Sequence, residues 1–222
     1  MKNKKTLSII LAVVVVLVAA AFIVPRVYAA KESSDVAAPT IAASSANDGS
    51  VDDLNGTWTV GSGSYAGYRV NEAINGASVT VVGRTENVTG DVTIDGGTLT
   101  AGTVDVDLAS VKTDADRRDE YFRTKAIDTS VYSQATFAVT DQLALDNLGA
   151  DTQTVKLTGD LTLNGVTKPV TADVQVGVVD GSINVAGSIP LTWSDFNVEA
   201  PNLGGANVDK TGSIEFLTVL AK

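Results

Sequence analysis

The chain has 222 residues, a formal net charge of −10 and neither cysteine nor histidine. That composition excludes disulfides, cysteine-centred zinc sites, cysteine nucleophiles and every mechanism that needs a histidine base. Residues 1–54 hold equal numbers of basic and acidic side chains, so the acidic excess belongs to residues 55–222; such a domain repels phosphate backbones, which excludes nucleic acid as a partner.

The chain opens with a basic stub, residues 1–5, carrying Lys2, Lys4 and Lys5. Residues 6–24 are uncharged and mostly apolar. As a helix rising ~1.5 Å per residue this run reaches roughly 28 Å, close to the ~30 Å hydrocarbon thickness of a bilayer. The basic stub stays on the cytoplasmic side, so the run is expected to be a transmembrane helix that delivers the rest of the chain outside the cytoplasm. The alternative is a signal segment cleaved near Ala29, because Val27-Tyr28-Ala29 before Ala30 has a small-x-small pattern. Residues 25–54 are rich in Ala, Ser and Asp and interrupted by Pro39 and Gly49. They read as a flexible linker.

From Thr57 onward the hydrophobic period is two. Ser78–Gly83 and Gly90–Leu99 read as strands bounded by glycine, and residues 103–111 place Val104, Val106 and Leu108 on one face with Asp105 and Asp107 on the other. Residues 110–132 break the pattern. Thr113-x-x-Asp116 resembles a capping box and Asp119 stands four before Arg123, which predicts a short helix over Asp114–Thr124 with an i,i+4 ion pair. Phe137 with Val139, the odd positions of Ile183–Trp193, and Ser213–Leu220 continue the strand pattern.

Residues 155–174 carry the sharpest local signal. Leu157, Leu161 and Leu163 occupy odd positions while Val166, Val170, Ala172 and Val174 occupy even ones, and the parity flips at Asn164-Gly165. That dipeptide favours a two-residue type I′ turn. The turn predicts Leu163 opposite Val166, Leu157 opposite Ala172 and Val155 opposite Val174, with every apolar side chain on one face. Pro169 is expected near a strand end or bulge, since it cannot donate to a ladder.

The fold class is therefore all-β: about eight antiparallel strands and one short helix, closed as a barrel or stacked as a sandwich. A barrel of ~8 strands either fills with side chains or holds one small ligand. No calcium-loop motif is present and no cofactor or metal is expected. Asp105/Asp107 and Asp114/Asp116/Asp119 are explained by strand alternation and helix charge, so no catalytic residue is assigned.

Several stretches resemble, in order, landmarks of the YceI-like family: residues 56–58 (GTW), 106–124 (VDLASVKTDADRRDEYFRT), 132–140 (YSQATFAVT), 159–171 (GDLTLNGVTKPVT) and 193–198 (WSDFNV). The resemblance spans about Gly56 to Lys222. It implies a bacterial, extracytoplasmic, lipocalin-like antiparallel barrel, residues 55–222, that holds polyisoprenoid or similar lipid-like chains. The chain departs from the family at its second strand, where no His-Ser stands, and at Tyr132-Ser133-Gln134, where Tyr-Pro is common. The ligand-binding wall residues expected are Val79, Val81, Val92, Ile94, Val104, Val106, Phe137, Val139, Leu161, Leu163, Val170, Ile189, Leu191 and Phe216, each equally compatible with plain core packing. The expected function is a non-catalytic, membrane-tethered binding protein for an isoprenoid or lipid-like small molecule. The alternative is an envelope structural or interaction protein with a filled barrel and no ligand. The sequence leaves the oligomeric state undetermined.

Overall fold

The structure is a computed structural model that describes residues 23, 36–41, 54–74, 77–145, 148, 152–203 and 206–222. The expected transmembrane or signal run lies outside the described residues apart from Ile23. Among the described residues no helix is long and apolar enough to cross a membrane.

Strands dominate, as the period of two requires. In chain order they are β1 (Gly56–Val60), β2 (Tyr65–Ile74), β3 (Ala77–Thr85), β4 (Val88–Asp95), β5 (Thr98–Asp107), β6 (Gln134–Val139), β7 (Leu143–Ala144), β8 (Gln153–Leu163), β9 (Val166–Val179), β10 (Ser182–Thr192), β11 (Asn202–Leu203) and β12 (Ala206–Ala221). Helix α1 (Asp116–Tyr121) stands between β5 and β6 and runs on into a wider π turn, Phe122–Ala126.

All pairings are antiparallel, and eight strands form a ring: β1, β4, β5, β6, β8, β9, β10, β12 and back to β1. The closure is short, Thr59 opposite Ala221 and Val60 opposite Leu220. The β2–β3 hairpin continues the wall formed by β1 and β4, with β2 pairing along β12 from Ala206 to Leu217. The fold is thus a closed antiparallel barrel rather than a sandwich.

The β1–β2 junction shows how the kink is accommodated. Gly61 N donates to Val219 O at 2.7 Å, and the buried Ser64 hydroxyl accepts from Val219 N at 2.9 Å. A side chain replaces a backbone acceptor, so β12 loses no hydrogen bond where its partner changes from β1 to β2.

The β8–β9 hairpin has the predicted register: Leu163 opposite Val166, Leu157 opposite Ala172, Val155 opposite Val174. Asn164 and Gly165 both take positive φ, 51° and 76°, as a type I′ turn demands. Pro169 is the fourth residue of β9, near that strand's start as expected, paired opposite Asp160 with no bulge. It is tolerated because β9 has by then parted from β10, whose last pair with it is Asp173–Ser188.

The helix differs from the prediction at its ends. The N-cap is Ala115, and Thr113 serves a different role: its N–H and hydroxyl both donate to Asp119 Oδ1 at 2.8 Å. Asp119 is 4% exposed, so it turns inward to anchor the β5–α1 connection. The expected Asp119–Arg123 pair does not form; Arg123 reaches Glu120 instead, at 3.3 Å.

The expected linker contains a stretch seated on the barrel. Residues 36–41 cross the outer wall from β2 and β3 to β9. Arg69 donates to Val36 O and Arg84 to Ala37 O, both at 2.7 Å, while Ile41 N donates to Gln175 Oε1 at 3.1 Å and the Ile41 side chain is buried. Beneath this strap both guanidiniums bind the carboxylate of Glu215, which is 3% exposed although its strand position points outward. Two cations sharing one anion leave donors over, and the strap carbonyls accept from them.

The interior divides into two apolar clusters. One, toward the helix end, includes Val70, Val79, Leu163, Trp193 and Phe196; the other, toward the opposite base, includes Trp58, Ile94, Leu99, Leu157, Ile183 and Leu220.

Candidate functional site: the barrel lumen

A cavity of about 700 Å³ runs through the barrel and touches residues of both clusters. Packed protein interiors hold few voids larger than a water molecule, whereas a volume of this size lies within the ~300–1,000 Å³ range of small-molecule sites.

Strand alternation builds its wall. β2 contributes Ala66, Tyr68, Val70, Glu72 and Ile74; β12 contributes Ile214, Phe216, Thr218 and Leu220. In each strand these are every second residue, the ones whose Cβ atoms share a face. Of the residues expected from sequence, Val81, Val92, Ile94, Val104 and Val106 line the cavity from β3, β4 and β5. Phe137, Val139, Leu161, Leu163, Ile189 and Phe216 line it from the other side. Val79, Val170 and Leu191 do not. Val79 is wholly buried in the helix-end cluster, Val170 packs between the clusters, and Leu191 packs on the helix-end cluster.

Wall residues outside that expected set include Tyr68, Phe122, Trp193, Ile183 and Val185. For Tyr68 the signal was present, since Ala66, Tyr68, Val70 and Ile74 alternate cleanly. Three aromatics meet near the helix end: Tyr68 stacks on Phe122 with centroids 5.3 Å apart and meets Trp193 edge-on at 6.5 Å. Gly212 makes room for that indole, because a Cβ there would lie 2.2 Å from Trp193 Cζ2.

Charge is confined to one end of the lumen. The charged lining residues are Glu72, Arg117, Arg118 and Glu199. Arg117 and Glu199 are exposed, which places the mouth between α1 and the segment before β11. Arg118 is neutralised by Asp114 at 2.6 Å and Glu72 at 3.9 Å. Burial pushes the Tyr68 phenol well above its ordinary range; the Arg118 cation opposes the shift, and Asp119, Asp114 and Glu72 add to it. The phenol therefore stays protonated, and a neutral, largely apolar wall runs from the mouth to the base.

Four of the five acidic residues noted in the sequence have structural partners, Asp114 and Asp119 among them. Asp105 accepts from the Thr136 hydroxyl, and Asp107 caps a short 3₁₀ turn through Ala109 N at 3.0 Å. Among the described residues no cluster of His, Cys, Asp and Glu could hold a metal ion. The arrangement can enclose an apolar body.

Comparison with known proteins agrees with this architecture. The chain is 35% identical over 123 residues to Protein YceI of Escherichia coli O6:H1, a match covering 50% of this chain and 60% of that protein. It is 37% identical over 93 residues to a UPF0312 protein of Shewanella baltica, covering 40% of this chain and 46% of the relative. The match thus spans at most about 60% of the length of these relatives. Two solved structures share the fold. A polyisoprenoid binding domain from Saccharophagus degradans, implicated in plant cell wall breakdown, aligns with a TM-score of 0.59 at 19% identity, covering 74% of this chain and 97% of that one. BcnA of Burkholderia cenocepacia aligns with a TM-score of 0.54 at 21% identity, covering 70% and 96%. The family model described as the YceI-like domain matches residues 40–220, and with the barrel and its lumen in place the chain belongs to that family.

Proposed function

We propose that the barrel is a binding protein, not an enzyme, and that it holds one apolar, lipid-like chain of the polyisoprenoid type in its lumen. The observation that carries this reading is the cavity of about 700 Å³, apolar along its length and charged only at its mouth. Each buried methylene contributes ~0.8 kcal/mol, so a chain of tens of carbons binds tightly without specific polar contacts. The fold shared with a polyisoprenoid binding domain supports the same cargo class. The barrel works outside the cytoplasm, tethered by the apolar run of residues 6–24; the basic stub and the length of that run support this placement.

The test is uptake of a fluorescent polyene chain by the full-length protein, with mass spectrometry of lipids extracted from the purified material. Val139→Trp projects a ring into the lumen from β6. Uptake should fall severalfold while the melting temperature holds. Loss of fold together with no uptake by the parent means a filled barrel acting as an envelope structural protein. Protease added to intact, wall-stripped cells tests the topology: digestion of the barrel supports it, and protection of the barrel refutes it. A mature form starting at Ala30 selects the cleaved-signal alternative.

A further inference from the structure

Val131 and Tyr132 are large apolar side chains that the barrel leaves in water, 65% and 40% exposed. They follow the π turn after α1, at the end of the barrel where the lumen opens. A tight turn fixes them there. Asp128 accepts from Ser130 N at 3.1 Å and from the Ser130 hydroxyl at 2.6 Å, and its carbonyl accepts from Val131 N at 3.0 Å and Tyr132 N at 2.8 Å. The Tyr132 ring rests on Gly165 of the β8–β9 turn, where a Cβ would come within 2.6 Å of Cε1. The pair is held outward by structure on both sides.

The local charge is compatible with the same region. Residues 112–132 hold five basic and five acidic side chains, so this segment is neutral although the barrel as a whole carries the −10 excess. Lys112, Arg117 and Lys125 are exposed within it, as are Asp114, Asp116, Glu120 and Asp128. An anionic bilayer thus meets near-balanced charge beside the mouth rather than the net acidity of the body.

We propose that Val131 and Tyr132 seat the mouth of the barrel on a phospholipid bilayer, so that an apolar chain passes between membrane and lumen without crossing water. The inference rests on the chain-binding reading above. Each methylene that must cross water slows exchange about fourfold, so a docked mouth matters more the longer the chain. An amphipathic Tyr beside an aliphatic side chain is the residue pairing that settles at a bilayer interface.

The chain has no cysteine, so a single Val131→Cys carries an environment-sensitive fluorophore site-specifically in the full-length protein. Asp180→Cys, on the exposed β9–β10 turn at the opposite end, is the control. With vesicles of phosphatidylcholine and phosphatidylglycerol (3:1, a composition in roughly the anionic range of bacterial and cytoplasmic leaflets) containing brominated lipid, the label at position 131 should shift to the blue and be quenched. The label at 180 should do neither. Equal responses at both positions, no response at 131, or a concentration-dependent shift at 131 without vesicles, which marks a second copy of the chain as the occupant, overturns the proposal. None of these readouts needs cargo, so they stand apart from failure of chain binding itself. Independently, a Val131→Asp, Tyr132→Asp double variant should slow chain transfer between vesicle populations roughly tenfold or more, with equilibrium loading unchanged. An unchanged transfer rate overturns the docking role, and should the double variant not fold, the labelled proteins decide.

Discussion

Pro169 and Pro190 lie on neighbouring strands, and both fall just beyond the last β9–β10 pair, Asp173 opposite Ser188. Past that point β9 keeps only β8 and β10 keeps only β12, as Asp160 faces Pro169 and Pro190 faces Ser213. The barrel is splayed toward its mouth, and each of the two bare edges carries a residue without an N–H. Natural sheets use proline this way to keep open edges from pairing with other chains. The Pro169→Val, Pro190→Val double variant should therefore keep a melting temperature within a few degrees of the parent yet associate on standing. Light scattering at matched concentration checks this. A variant that remains monodisperse removes the edge-guarding role.

Asp119 gives a second, quantitative test. Its carboxylate is buried and accepts two hydrogen bonds from Thr113, at 2.8 Å each. Asp119→Ala strips the acceptor and leaves the Thr113 N–H without its partner. Hydrogen bonds to a charged group contribute ~1.5–3 kcal/mol, and a loss of that size should appear as a lower chemical-denaturation midpoint at unchanged slope. A shift corresponding to less than ~0.5 kcal/mol would place Asp119 with ordinary surface residues.

The strap predicts local rather than global loosening. Ile41→Asp removes a buried aliphatic side chain worth ~1.5–3 kcal/mol, which translates to roughly 10- to 100-fold faster amide exchange where only the strap must open. Hydrogen exchange followed by mass spectrometry should show this acceleration in peptides covering residues 36–41, with β10 and β12 hardly changed. Equal exchange in parent and variant would mean that burial of the Ile41 side chain does not hold the segment in solution.

The elements legible in the sequence are those whose determinants are local. The β8–β9 hairpin follows from a parity flip across Asn164-Gly165, and every expected pair is found. What could not be read depends on partners far along the chain. Ser64 is explained only by Val219, and Glu215 only by Arg69 and Arg84. Helical spacing offered Arg123 to Asp119, but burial gave that carboxylate to Thr113 instead. Likewise Val79 and Val81 share a face of β3, yet only Val81 meets the lumen. A period of two says which side chains point inward; it does not say how far toward the barrel axis neighbouring groups extend.

Tyr68 yields a prediction for alkaline pH. Burial raises its folded pKa above the unfolded value of ~10. The sign follows from proton counting. Below pH ~10 the phenol is protonated in both states and its contribution to stability is fully present. As pH rises past ~10 the unfolded chain ionises first, so folding loses free energy until the folded pKa is reached, at up to ~1.4 kcal/mol per pH unit. Tyr68→Phe keeps the ring that stacks on Phe122 and meets Trp193 but has no proton to lose. Between pH 10 and 11 the parent should therefore lose about 1 kcal/mol more stability than the variant, while the other four tyrosines and the lysines, common to both proteins, cancel in the comparison. Denaturant titrations of both proteins at the two pH values measure the difference. Parallel stability curves would show that the phenol ionises as readily in the barrel as in water, which is incompatible with a dry wall at the mouth of the lumen.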